Sequence, residues 1–181
     1  ITPYDWPEGI EHRSQYIEGR IVPGIPVVAV SRPEGIVVAA FRRRVRKIYE
    51  VYDRLAYAAI GQPSDVESLR VGAVDFAHRE GFQRSEDDVS AQRVVNALSQ
   101  PIKAAFANFQ AAPWVGKALF MEVCRSPETD RYFVMEYDGD FVVDVGWSWL
   151  AGDLAAYDRL LPVVEERVLP ATALEECVEG L

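Results

Sequence analysis

The chain has 181 residues, of which 49% are hydrophobic and 11% are aromatic, and its formal net charge is −9. Length and composition predict one folded domain with a substantial core and exclude a disordered chain. The acidic balance disfavours nucleic acid as the main partner. No apolar run reaches the ~20 residues that a membrane span needs, and residues 1–5 do not resemble a signal peptide. We therefore expect a cytoplasmic protein without a membrane partner.

Cysteine and histidine usage predicts neither a metal site nor a cofactor. Cys124 and Cys177 lack CxxC or zinc-ligand spacing, and we expect both to be reduced, buried thiols. His12 and His78 lie on polar or mixed helix faces without a matching set of ligands. The common nucleotide-binding, zinc-peptidase and serine-hydrolase motifs do not occur either.

The first part of the chain predicts a helix and two hairpins. Residues 4–20 carry a helix-start signal, with Asp5 as N-cap, and a sparse apolar stripe of Trp6, Ile10, Tyr16 and Ile17. After a Pro-Gly break, residues 25–31 and 36–41 form the first predicted hairpin. Residues 47–52 and 54–60 form the second.

Between the hairpins, five of the six residues from Arg42 to Lys47 are cationic. Such a run is typical of a solvated loop or strand edge. The alternative is the basic lining of a channel or a site for a polyanion. The pattern is specific for neither, so both interpretations stay open.

The second part predicts two long helices, three strands and two further helices. The long helices cover residues 64–78 and 87–109, the second capped by Asp87 or Asp88. Strands cover residues 115–124, 131–137 and 140–150, with a type I′ turn at residues 137–140. Trp147 and Trp149 share one face of the last strand, where we expect core or subunit contacts. The final helices cover residues 153–168 and 171–180, and Glu165 and Glu166 lie on a solvated face.

This order predicts an α+β fold, namely a four-layer αββα sandwich with an extra N-terminal helix. It resembles the order in proteasome core-particle subunits, which share the fold of N-terminal-nucleophile hydrolases. The similarity is carried by KIYEVYDRLAYAAIG at 47–61, SDVESLRVGAVDFAHREGF at 64–82, DDVSAQRVVNALSQPIKAAF at 87–106 and Tyr-Asp-Gly at 137–139. As a set, these segments are similar to the actinobacterial-type α subunit.

The resemblance implies one proteasome-type domain over residues 1–181. Residues 1–20 would be the tail and helix typical of α subunits, and the last strands of the family would be missing or shortened. The subunit would form a heptameric ring, stack on catalytic β subunits and dock a ring ATPase that supplies unfolded protein substrates. The pore would be gated by Ile1, Thr2, Pro3 and Tyr4.

The resemblance also implies that this chain has no catalytic residue. Catalytic subunits begin their first strand with a threonine nucleophile, whose free amine is the base and whose helpers are a lysine and an aspartate. Here that strand would begin at Ile25 and Pro26, Thr2 precedes the helix, and Phe41 takes the aspartate position. We therefore expect a non-catalytic member of a threonine-type endopeptidase complex.

Of this catalytic set of residues, only the lysine has a counterpart in this chain, at Lys47. In α subunits the matching lysine lies between neighbouring subunits and binds the C-terminal carboxylate of an activator. The resemblance implies an activator pocket formed by Lys47, Gly24, Gly61 and Gln62. In it, the glycines would let the incoming tail approach the backbone. The alternative is a structural lysine paired with an acid such as Glu50 or Asp53.

Two other functions stay open at this point. One is a threonine-type peptidase of the same fold with its nucleophile elsewhere. The other is a ring-forming homologue without a proteolytic role.

Overall fold

The computed structural model describes residues 5–40, 46–163 and 166. The helices are α1 (Asp5–Ile21), α2 (Pro63–Gln83), α3 (Ala91–Ala107) and α4 (Leu154–Val163). The strands are β1 (Val27–Arg32), β2 (Gly35–Ala40), β3 (Ile48–Tyr52), β4 (Leu55–Gly61), β5 (Gly116–Glu122), β6 (Arg131–Met135), β7 (Phe141–Val145) and β8 (Trp147–Leu150). The predicted gate at 1–4, Phe41, most of the basic run, Cys177 and the helix at 171–180 lie outside the described residues.

Two antiparallel sheets form the centre of the fold. One has five strands in the order β3-β4-β5-β6-β7, and the other has three in the order β2-β1-β8. The predicted hairpins β1–β2 and β3–β4 are present. This arrangement confirms the predicted α+β class.

Side chains alternate along the strands and divide the interior into two cores, as the two-residue period of a strand requires. Tyr57 and Phe120 contribute to the core that α2 and α3 cover. Ala58 and Leu119, their neighbours in β4 and β5, belong to the core between the sheets, which also contains Val27 of β1 and Leu150 of β8. The central strands β4 and β5 of the five-stranded sheet are therefore buried on both faces.

The predicted strand at 140–150 is wrong as a single element. It divides at Gly146, where φ is +83°, into β7 and β8. β7 pairs with β6 in the large sheet, whereas β8 pairs with β1 in the small one. Because only glycine adopts positive φ readily, Gly146 allows the chain to cross between sheets within one residue. Trp147 and Trp149 do share a face of β8 and are half-buried.

The predicted type I′ turn between β6 and β7 is also wrong. Such a turn needs positive φ at both central residues, but Gly139 is the only described residue of this loop with positive φ, +87°. The amide of Gly139 donates to the carbonyl of Glu136 at 3.1 Å, and the amide of Glu136 donates to Asp140 at 2.8 Å. This pattern fits a type I turn followed by a glycine bulge.

Details of three helices differ from the prediction. Ser90, and not Asp87 or Asp88, caps α3, since its hydroxyl accepts the amide of Arg93 at 3.4 Å. α2 continues to Gln83 because Gly81 leaves room for the ring of Tyr52. On α1 the buried residues are Ile17 and Ile21, whereas Tyr16 is exposed.

Searched over the described residues, no helix is both long and apolar enough to cross a membrane.

Candidate functional site

A cleft with a volume of about 650 Å³ lies where α1, β3, β4 and the start of α2 meet. Three of the four predicted pocket residues, Lys47, Gly24 and Gly61, line it. Gln62 is the N-cap residue of α2, directly beside the cleft. Folding thus brings the predicted residues together from three separate segments of the chain.

Lys47 precedes β3 and is half-buried. Its ammonium group donates to the carbonyl of Ile25 at 3.3 Å. The alternative of an ion pair with Asp53 does not fit, because Lys47 and Asp53 lie at opposite ends of β3. Six residues of extended chain separate their backbones by about 20 Å. Glu50, the other candidate, is exposed on β3. Lys47 therefore places a cation beside the segment that leads into β1.

The two glycines have structural roles that the sequence did not indicate. A Cβ on Gly61, whose φ is +134°, would lie 2.4 Å from the carbonyl oxygen of Val115. A Cβ on Gly24 would lie 2.8 Å from the carbonyl oxygen of Ile21 and 2.9 Å from Cβ of Ile60. Both contacts are with the protein itself, so both glycines are required by packing around the cleft whether or not a tail enters it.

Tyr49 forms a wall of the cleft between two arginines. The guanidinium carbons of Arg46 and Arg70 lie 5.1 and 5.0 Å from the centre of its ring, within the range of a cation–π interaction. The Tyr49 hydroxyl donates to the carbonyl of Arg46 at 2.8 Å, and Arg46 Nε donates to the carbonyl of Ile48 at 2.7 Å. These contacts hold Arg46 over the ring.

Glu67 is the acidic residue among those that line the cleft. Arg70 binds its carboxylate through two hydrogen bonds, at 2.6 and 2.9 Å. The Arg70 guanidinium lowers the pKa of the Glu67 carboxyl group. In the part of the chain that the structure describes, the other charged lining residues are Arg20, Arg46 and Lys47, so this lining is cationic within a chain of net charge −9.

Gln62 joins the cleft to the start of α2. Its side-chain oxygen accepts from Arg20 at 3.4 Å, and its amide nitrogen donates to Ser64 at 3.1 Å. The next residue, Asp65, accepts the amide of Val115 at 2.9 Å, and its carbonyl accepts the Trp114 indole N–H at 2.9 Å. The mouth of the cleft is thus fixed to the start of β5.

The segment before β1 is integrated into the fold. Arg13 of α1 donates to the carbonyls of Ala105, Asn108 and Ala111 at 3.0, 3.0 and 2.7 Å, and so satisfies acceptors at the C-terminal end of α3. Tyr137 donates to Glu18 at 2.7 Å. β1 begins at Val27, two residues later than predicted, and Ile25 and Pro26 precede it without a nucleophile.

The remaining candidate residues lie away from the cleft. His12 and His78 are exposed, and His78 contacts the edge of the Tyr52 ring. Cys124 is a free, half-buried thiol, less buried than expected, and burial raises its pKa. Within residues 5–40 and 46–163, no three His, Cys, Asp or Glu side chains are grouped so that they could hold a metal ion.

Comparison with known proteins identifies the family. The chain is 32% identical to the proteasome subunit alpha of Kineococcus radiotolerans, over 99% of this chain and 78% of that protein. It is 30% identical to the corresponding subunit of Thermobifida fusca, over 98% of this chain and 73% of that subunit. It is 31% identical to the subunit of Actinosynnema mirum, over 98% of this chain and 69% of that subunit. No family model matches the sequence. The chain belongs to the family of proteasome α subunits, as its motifs indicated.

Sequence reasoning missed four residues that shape the cleft: Arg20, Tyr49, Glu67 and Arg70. Their one local signal is the i, i+3 spacing of Glu67 and Arg70, which permits an ion pair on a helix. Arg20 and Tyr49 belong to elements far apart in sequence, so no local pattern joins them.

Proposed function

We propose that this chain is the α-type ring subunit of a proteasome core particle and has no peptidase activity of its own. It forms a heptameric ring, gates the pore with Ile1–Tyr4 and stacks on catalytic β subunits. Unfolded proteins are the substrates of the assembled particle. Family membership supports the subunit class, and the attachment of α1 supports the absence of catalysis.

The fixed position of α1 is the observation on which the non-catalytic role rests. A nucleophile at the start of β1 needs a free amine there, so cleavage would have to release α1. Ile17 and Ile21 of α1 are both fully buried between the sheets and the helix. Their loss would expose apolar surface worth roughly 1.5–3 kcal/mol for each side chain. Retention of α1 is therefore favoured.

Native mass spectrometry and a peptidase assay test this role. We expect the chain to form a ring on its own or with a co-expressed β subunit, and to hydrolyse fluorogenic peptides only in complex with that β subunit. Peptidase activity of the purified chain alone would favour a threonine-type peptidase. A monomer under both conditions would contradict every ring-forming function.

The cleft around Lys47 is the proposed docking site for the C-terminal tail of a ring ATPase. A lysine ammonium group at an apolar cleft suits a single carboxylate. We expect Lys47→Ala to leave the ring intact and to abolish ATPase-stimulated degradation. Lys103→Ala is the matched control, because Lys103 is an exposed lysine whose ion pair with Asp140 at 3.9 Å lies outside the cleft. Equal stimulation in both variants would exclude Lys47 as the docking residue.

A further inference from the structure

The cleft carries more positive charge than one terminal carboxylate requires. Among the described residues, Arg20, Arg46 and Lys47 line it, and Glu67 is the single acid of the lining. Glu67 is already bound by Arg70 through two hydrogen bonds, so it does not neutralise Arg20 or Arg46. A single carboxylate bound at Lys47 does not neutralise the positive charges of the two arginines at the rim, Arg20 and Arg46.

The contacts of the rim arginines with described residues are with neutral groups. Arg46 binds the carbonyl of Ile48 and the ring of Tyr49. Arg20 binds the side-chain oxygen of Gln62 at 3.4 Å, a long hydrogen bond. Both side chains are exposed, so both can exchange water for an incoming anion.

We propose that the cleft selects an acidic tail: the docked segment carries one or more carboxylate side chains upstream of its terminal carboxylate. This inference rests on the proposed docking function and names the chemistry of the partner. The terminal carboxylate binds Lys47, the last apolar side chains enter the cleft, and the upstream acids bind Arg46 and Arg20. The Glu67–Arg70 pair on the α2 side has no net charge, so it does not attract an acid placed there.

An acidic peptide fits these features better than another polyanion. Apolar residues of the cleft, among them Ile25, Ala59, Ile60 and Val66, can bury short aliphatic side chains but offer nothing to a sugar-phosphate backbone. A net charge of −9 also repels a long polyanion as a whole.

Fluorescence polarisation with synthetic peptides tests the inference on the full chain. The acidic probe contains three glutamates, a Gly-Ser spacer and a C-terminal Ala-Leu-Val with a free carboxylate. The matched probe has three glutamines instead. We expect the glutamine probe to bind about fivefold more weakly at low ionic strength, and the difference to shrink in high salt, as for exposed charge pairs.

Two arginine variants locate the effect. Arg46→Gln should remove most of the preference for the acidic probe. Arg131→Gln should retain it, because Arg131 is an exposed arginine that lies opposite Glu122 in the β5–β6 register. The cleft lies at the other end of β5, where Gly61 is opposite Gly116. An equal loss in both variants would indicate a general charge effect and overturn the proposal.

The same measurement separates this inference from the docking function. Equal affinity for the two probes, together with loss of binding on C-terminal amidation, would overturn acid selection and leave docking intact. Absence of binding by either probe would overturn both. An acidic probe that binds equally well when amidated would contradict carboxylate docking but support acid recognition. Competition by a single-stranded oligonucleotide as effective as that by the peptide would overturn the peptide assignment.

Discussion

Gly61→Ala distinguishes a structural role of this glycine from a role in admitting a tail. Gly61 ends β4, pairs with Gly116 of β5 and lines the cleft. Its φ of +134° lies where side chains are strained, and an added Cβ would lie 2.4 Å from the Val115 oxygen and 2.5 Å from the Gly116 Cα. These are backbone atoms of a paired strand, so they cannot rotate away.

The strained conformation alone costs roughly 1–3 kcal/mol for a residue other than glycine. The overlap with β5 adds to this, because relief requires the β4–β5 pairing to shift at its end. We therefore expect Gly61→Ala to lower the free energy of unfolding by about 3 kcal/mol or more, near the upper end of single substitutions.

Gly19→Ala is the matched control, since it makes the same chemical change in helix α1, where an added Cβ has nothing within 4 Å. Alanine in a helix is favoured over glycine by about 0.5–1 kcal/mol, so this variant should be slightly more stable. Urea unfolding followed by circular dichroism, at one fixed protein concentration, compares both variants with the unmodified chain.

A Gly61→Ala variant within about 1 kcal/mol of the unmodified chain would refute this reasoning. If that variant were stable and also failed to bind the free-carboxylate peptide, the glycine would serve the approach of the tail, as the sequence alone suggested. A large loss of stability would instead show that its conformation is needed to build the cleft.

Three further predictions concern the attachment of α1, the mouth of the cleft and alkaline pH. Arg13→Met should release α1 from the carbonyls at the end of α3, detected as faster amide hydrogen exchange in α1 with unchanged exchange in β4; unchanged protection of α1 would refute this. Asp65→Ala leaves the Val115 amide without its acceptor and should cost about 1–3 kcal/mol in urea unfolding; an unchanged midpoint would contradict it. Burial raises the pKa of Tyr132 from 10 to about 12. The stability that the fold gains from holding this hydroxyl neutral is therefore complete below pH 10 and is lost as pH rises through 12. Tyr132→Phe should make alkaline unfolding less steep, and an identical pH profile would count against this.

Much of the fold could be predicted from local patterns. The hairpins before α2 follow from β-rich runs bounded by turn residues, and α2 and α3 follow from their apolar spacing. The apolar pattern of residues 140–150 is continuous across Gly146, and for that reason it predicted one strand. Only pairing with β6 on one side and β1 on the other divides it into two.

The candidate site was predictable in part. Lys47 is conspicuous as a cation before an apolar strand, and the resemblance associated it with Gly24, Gly61 and Gln62. The full arginine–tyrosine wall was not predictable, because Arg70 reaches the ring of Tyr49 only when α2 packs against β3. The packing role of the glycines was not predictable for the same reason, since most of the atoms that they approach belong to other segments.

The sequence by itself determined the family, the α+β class, the helix before the first strand and the lack of a threonine at the start of that strand. These properties depend on residue identity and short-range periodicity, which are written along the chain. The tertiary structure decided the shape and charge of the cleft, the fixed position of α1 and the division of the last predicted strand. Those depend on contacts between residues far apart in sequence, for which side-chain reach and close packing set the outcome.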